Sequence, residues 1–133
     1  MDSERIGAAV RALLAGRPGV VAVYLFGSQA RGTASPASDV DVAILYTEPP
    51  PRSLDGLPLD IEADLERRLG LPVQVVVLNH APVDLVHRVL RDGQLLLEQD
   101  RSRRIRFEVK ARNEFFDLQP ILARYRAGRA AGR

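Results

Sequence analysis

Cysteine is absent from the 133-residue chain, and no apolar run approaches the roughly 20 residues that a membrane-spanning helix needs. Without cysteine the chain can form neither a disulfide framework nor a thiolate zinc site. Its first five residues include two acids, where a secretory signal carries positive charge. We therefore expect a soluble, cytoplasmic protein that does not bind membranes.

Acidic residues are scarce at the C-terminal end. Residues 1–100 contain 9 basic and 14 acidic residues, whereas residues 101–133 contain 10 basic and only 3 acidic ones. A basic tail can contact nucleic acid, an acidic partner or the acidic body of its own chain. The chain length fits one domain, so we predict a body over residues 1–100 and a C-terminal helical tail over residues 101–133, which is either part of the same domain or a partner-binding extension.

The spacing of apolar residues predicts an α/β (α+β) fold, in which a small mixed or antiparallel sheet is flanked by helices packed against one face. A proline-rich connector over residues 48–52 cannot be helical. In the tail, Pro120 is expected to kink or divide a C-terminal helix, whose four aromatic residues are expected to pack on the core or form a partner surface. Helices are predicted near residues 3–15, 57–69 and 82–90, and strands near residues 20–26, 39–46, 71–78 and 94–98.

Two short motifs at the ends of predicted strands carry the chemistry. Gly27 and Ser28 follow the first strand, where glycine permits a tight turn and close backbone approach to a phosphate. After ten further residues, Asp39 and Asp41 lie two apart on the next strand, so their carboxylates project from one face and can share Mg²⁺. Arg31 can neutralise phosphate charge. The pattern predicts a site for a metal ion and a triphosphate.

The stretch GSQARGTASPASDVDVAIL, residues 27–45, resembles the signature of the minimal nucleotidyltransferases of the DNA polymerase beta superfamily. The resemblance implies a polymerase-beta-type fold and a nucleotidyltransferase domain over residues 1–100. It also implies that Asp39 and Asp41 are catalytic and bind Mg²⁺ or Mn²⁺, and that Gly27, Ser28 and Arg31 bind ATP as the substrate.

The tail resembles that of minimal nucleotidyltransferases paired with HEPN-type ribonuclease toxins. This resemblance implies an antitoxin that transfers AMP from ATP to a tyrosine hydroxyl of a HEPN toxin, with which it can form an oligomer. A transferase directed at nucleic acid is the weaker alternative, because the chain contains no recognisable RNA-binding module.

One position departs from the pattern. The family places a third carboxylate on a neighbouring strand, where this chain has Gln74. A neutral amide offers one carbonyl oxygen but no negative charge, so metal binding and activation of the nucleophile are expected to weaken. Asp60, Glu62 or Asp64 could substitute only if their helix points one of them inward. The alternative is therefore a catalytically weakened antitoxin that binds nucleotide and neutralises its toxin by complex formation.

Overall fold

The computed structural model of the chain describes residues 2–34 and 38–131. Part of the predicted loop before the second strand, residues 35–37, lies outside the described residues. The helices are α1 (Ser3–Leu14), α2 (Gly27–Arg31), α3 (Leu59–Leu69), α4 (Val83–Asp92) and α5 (Arg101–Ala131), and the strands are β1 (Val20–Phe26), β2 (Val40–Tyr46), β3 (Val73–Val77) and β4 (Gln94–Glu98).

The four strands form one mixed sheet in the order β3-β2-β1-β4. Strand β1 pairs antiparallel with β2 and with β4, whereas β2 and β3 are parallel and are connected through α3. This arrangement confirms the predicted mixed sheet. It also places the C-terminal end of β1 beside the N-terminal ends of the other three strands, at one end of the sheet.

Helices cover both faces of the sheet, so the prediction of a single covered face was wrong. Helices α1 and α3 pack on one face, while α4 and the first half of α5 pack on the other. The continuous apolar run of β1 explains the difference, because residues 20–25 are all buried. A strand that alternated between apolar and polar residues would have left one face in water.

Helix α5 continues through Pro120, so the predicted helix is not divided there. The expectation of core packing is confirmed for Phe107, which packs against the core, whereas Phe116 is 72% exposed. Phe115 stacks on His87 of α4 with ring centroids 3.6 Å apart. Among the described residues, no helix is both long and apolar enough to cross a membrane.

A buried carboxylate attaches α5 to the centre of the sheet. The Tyr24 hydroxyl of β1 donates a hydrogen bond of 3.0 Å to Glu108. Arg104 and Arg112, one turn to either side on α5, donate to the same carboxylate. Burial, followed by the charge of Glu108, raises the pKa of Tyr24, so its hydroxyl remains a neutral donor.

The Glu108→Ala variant is expected to lose about 2 kcal/mol of unfolding free energy, because it leaves the buried Tyr24 hydroxyl without its acceptor and removes the buried charge that pairs with Arg104. Urea denaturation measures this loss. Glu114→Ala is the matched control on the same helix, since it removes only an exposed pair with Lys110 at 3.8 Å and should cost less than about 0.5 kcal/mol. Equal losses in the two variants would contradict the attachment through Glu108.

The outer edge of β3 is closed by two side chains of α3. The backbone amide of Val73 donates to Glu66 at 3.1 Å, and that of Val75 donates to Glu62 at 2.9 Å. An uncovered strand edge presents such amides to other strands. The two carboxylates therefore accept hydrogen bonds from the backbone amides that edge-to-edge association with another strand would use.

Replacing Glu62 and Glu66 together by alanine is expected to produce concentration-dependent self-association, since both amides become available to another strand. Sedimentation velocity at several concentrations measures it. Asp60→Ala provides the control, because Asp60 is exposed on the same helix and makes no hydrogen bond to β3 among the described residues. A double variant that sediments like the wild type at every concentration would contradict this role.

Candidate active site

The predicted motif residues meet where β1 ends and β2 begins. Phe26, the last residue of β1, is paired with Asp41 of β2, so the chain reverses at Gly27 beside the aspartate. Gly27 starts the five-residue helix α2, which ends at Gly32 in a left-handed conformation. Gly27, Ser28, Arg31 and Asp41 line a single open pocket of about 400 Å³.

Gly27 is required at its position for two reasons. Its φ of +74° lies in the left-handed region, which favours glycine. A Cβ atom at this position would lie 2.3 Å from Oδ2 of Asp41, closer than any non-bonded contact allows. The Asp41 carboxylate therefore packs directly against the backbone of Gly27. This contact links the glycine of the first motif to the aspartate of the second.

The charge environment of Asp41 suits a cation. Burial raises the pKa of Asp41, the negative charge of Asp39 raises it further, and the Arg31 guanidinium lowers it. Asp39 is exposed, immediately precedes β2 and does not line the pocket itself, but its charge acts on Asp41. Two carboxylates that repel one another are stabilised when a divalent cation lies between them.

The oxygen-rich donor set fits one hard divalent cation. Asp39 and Asp41 supply carboxylate oxygens, and Gln74 can add an amide carbonyl. Within the described ranges, no group of three or more histidine, cysteine, aspartate or glutamate side chains could hold a metal ion by itself. Mg²⁺ commonly binds through one or two carboxylates and completes its shell with substrate phosphates, so the residues present fit a metal that arrives with a nucleotide.

Gln74 occupies the position next to Asp41. The parallel register pairs these two residues directly, and both side chains line the pocket. The acids of α3 do not replace the missing carboxylate, because Glu62 bonds to Val75 at the outer edge of β3, and neither Asp60 nor Asp64 lines the pocket. The amide is therefore the group that this chain presents at that point.

Three further pocket residues come from α4 and were not predicted from the sequence. Leu85, Arg88 and Asp92 lie on one face of this helix and line the pocket. A hydrogen bond from Arg91 lowers the pKa of Asp92, and the positive charge of Arg31 contributes. Arg88 makes no hydrogen bond or ion pair with any residue in the described part of the chain, so its guanidinium can accept an anionic ligand. The sequence signal for these residues is their spacing of three and four positions, which places them on one face of a helix.

Gln29 fixes the segment that leads into Asp39. Its side chain is only 6% exposed, and Nε2 donates to the backbone carbonyl of Ser38 at 3.2 Å. Its Oε1 atom has no hydrogen-bond partner among the residues that the structure describes. The sequence motif includes Gln29 between the two glycines, but its structural role emerges only from the fold.

Comparison with known structures shows the same fold in toxin–antitoxin complexes. The chain matches a toxin–antitoxin structure containing AMP-PNP with a TM-score of 0.72 at 23% identity, over 94% of this chain and 98% of the other. It matches a complex of a tri-AMPylated Shewanella oneidensis HEPN toxin with an MNT antitoxin with a TM-score of 0.68 at 21% identity, over 94% and 98% of the two chains.

Sequence likeness is higher for a third structure, a chain assigned as a minimal nucleotidyltransferase. It is 34% identical over 71% of this chain and 95% of the other, with a TM-score of 0.56. No curated protein sequence matches the chain significantly. The family model described as polymerase beta, nucleotidyltransferase matches residues 9–102, which include the whole pocket. The chain therefore belongs to the polymerase beta nucleotidyltransferase family, as the motif predicted.

Proposed function

We propose that this protein is an antitoxin that transfers AMP from ATP to a tyrosine hydroxyl of a HEPN-type toxin. The observation that carries this proposal is the close packing of the Asp41 carboxylate against Gly27, in a pocket that Ser28 and Arg31 also line. The structural neighbours support the choice of reaction, since one contains AMP-PNP and another an AMPylated HEPN toxin.

The chain's own groups account for nucleotide binding. The first backbone amides of α2 lack partners within the helix and, with the Ser28 hydroxyl, can donate to the β- and γ-phosphates. Arg31 of α2 and Arg88 of α4 both line the pocket and can neutralise phosphate charge. Asp39 and Asp41 would hold Mg²⁺ or Mn²⁺, which supplies Lewis-acid polarisation of the α-phosphate and stabilises pyrophosphate.

In the transfer step, the acceptor oxygen forms a bond to the α-phosphorus. The bond from that phosphorus to the oxygen bridging the β-phosphate breaks, and pyrophosphate leaves with the bonding electron pair. The hydroxyl proton passes to solvent, because the Gln74 amide beside Asp41 cannot accept it. The proposed reaction is therefore slower than it would be with a carboxylate at this position.

A second function is favoured by Gln74 alone. Without a third negative charge, the chain can retain nucleotide and still transfer AMP too slowly to control a toxin. Neutralisation would then result from complex formation, for which the proposed partner-binding extension over residues 101–133 offers exposed apolar residues such as Phe116 and Ile121. The two functions differ in whether the toxin becomes labelled.

The Gln74→Asp variant is expected to transfer AMP at least about tenfold faster than the wild type at pH 7, because a positioned carboxylate can accept the hydroxyl proton. The measurement is transfer of ATP labelled on the α-phosphate to a HEPN-type protein encoded beside this chain. Wild-type transfer should rise from pH 7 to pH 9, as more of a tyrosine with a pKa of about 10 ionises. The variant should depend less on pH.

Two sets of variants serve as controls for this assay. Asp39→Asn and Asp41→Asn should abolish label with wild-type and Gln74→Asp backgrounds alike. Ala8→Asp makes the same charge change at an exposed position of α1, outside the pocket and the C-terminal tail, and should leave the rate unaltered. Label only with Gln74→Asp would favour neutralisation by binding, and no label with any variant, despite retained AMP-PNP binding, would refute the proposed transfer.

The Gly27→Ala variant is expected to lose AMP-PNP affinity by at least about tenfold, since its Cβ must displace the Asp41 carboxylate. Gly32→Ala is the matched control: its φ of +72° is nearly the same, but no atom lies within 4 Å of the added Cβ. Both variants should lose about 1 kcal/mol of stability from backbone strain. Isothermal titration calorimetry separates the two effects, and equal nucleotide affinities would argue against the steric coupling.

A further inference from the structure

An apolar groove of about 550 Å³ is lined by the second half of β3 and adjoins the proposed nucleotide pocket. The two cavities share Leu85 as a wall. The strand itself connects them, because Gln74 lines the nucleotide pocket and residues 75–77 line the groove. The groove is thus an extension of the site on the side away from Gly27 and Ser28.

The wall opposite α4 is formed by the segment 51–58, and two contacts hold it in place. The His80 side chain lies with Nε2 2.6 Å from the carbonyl oxygen of Pro50. Gly56 packs against Pro51 so closely that an added Cβ would overlap the Pro51 carbonyl. Proline restricts the backbone of this segment further. The groove is therefore formed before any ligand binds.

Large apolar side chains line this groove and face solvent. Leu54 is 80% exposed and Leu57 is 50% exposed. Arg52 is the one permanently charged residue that lines the groove within the described part of the chain. Exposed leucines beside a preformed cavity are typical of a surface that another polypeptide covers.

The neighbouring strand edge restricts how a ligand can lie there. The outward amides of Val73 and Val75 already donate to Glu66 and Glu62. A second copy of the chain therefore cannot extend the sheet across these positions. A polypeptide ligand must instead insert its own side chains between the segment 51–58 and α4.

The chemistry of transfer defines which ligand this is. In phosphoryl transfer the attacking and leaving oxygens lie roughly in line on opposite sides of the phosphorus. With pyrophosphate held at Gly27 and Ser28, the acceptor hydroxyl must approach from the side of Gln74 and Leu85, where the groove opens. We propose that the groove binds an apolar segment of the acceptor protein next to the modified tyrosine, an inference that rests on the proposed function.

The test compares two leucine substitutions that differ in position relative to the groove. The combined Leu54→Ser and Leu57→Ser variant should raise the KM for the HEPN-type acceptor at least about tenfold, because two apolar contacts are lost. Its AMP-PNP affinity should remain that of the wild type. Leu59→Ser is the control, since Leu59 is 57% exposed but does not line the groove. Its KM for the acceptor and its affinity for AMP-PNP should both be unaltered.

A second measurement does not depend on turnover. A photo-crosslinking amino acid at position 54 should capture the acceptor protein near its labelled tyrosine, whereas the same group at Leu95, which is 43% exposed on β4, should not. Wild-type labelling with an unaltered acceptor KM in the double variant would overturn the groove assignment alone. Cross-linking between two copies of this chain at position 54 would also overturn it, and absence of labelling in the wild type contradicts the proposed function itself.

Discussion

The contact between the Gly27 backbone and the Asp41 carboxylate is the constraint on which the site depends. It joins the end of β1 to the beginning of β2, and it leaves no room for a side chain at position 27. The register of the antiparallel pair places these residues side by side, so any slip between β1 and β2 would separate the two motifs. The geometry of the pocket is therefore a consequence of strand pairing rather than of loop conformation.

Strand pairing can carry this constraint because the sheet is fixed from both faces. Buried residues of α1 and α3 hold one face, and the Tyr24–Glu108 hydrogen bond attaches α5 to the other. A site supported by packed strands maintains its geometry more closely than one on a mobile loop. Burial, followed by the negative charge of Asp39, raises the pKa of Asp41, and the packed sheet holds the Asp41 carboxylate in this environment.

The motif and the strands could be predicted because their signals are local. Branched residues in β1 and the spacing of Gly27, Asp39 and Asp41 are visible within a short stretch of chain. Arg88 could not be assigned to the pocket, because its position depends on how α4 docks against β1. The same limit explains the wrong prediction of one covered face, since a buried run such as residues 20–25 does not state which helices cover it.

Because position 74 is a glutamine, the proposed transfer must depend less on negative charge and more on the placement of the two reactants. A carboxylate at that point would help to hold metal and to accept a proton, and no acid of α3 supplies one there. What the chain retains is the pocket proposed to bind the nucleotide and a groove that adjoins it at Leu85. Correct placement of two reactants can by itself lower a barrier by several kcal/mol, on the order of 7–11 kcal/mol in the best cases. The proposed transferase would therefore depend on binding its acceptor well, so its activity and its selectivity for an acceptor protein would reside in the same surface.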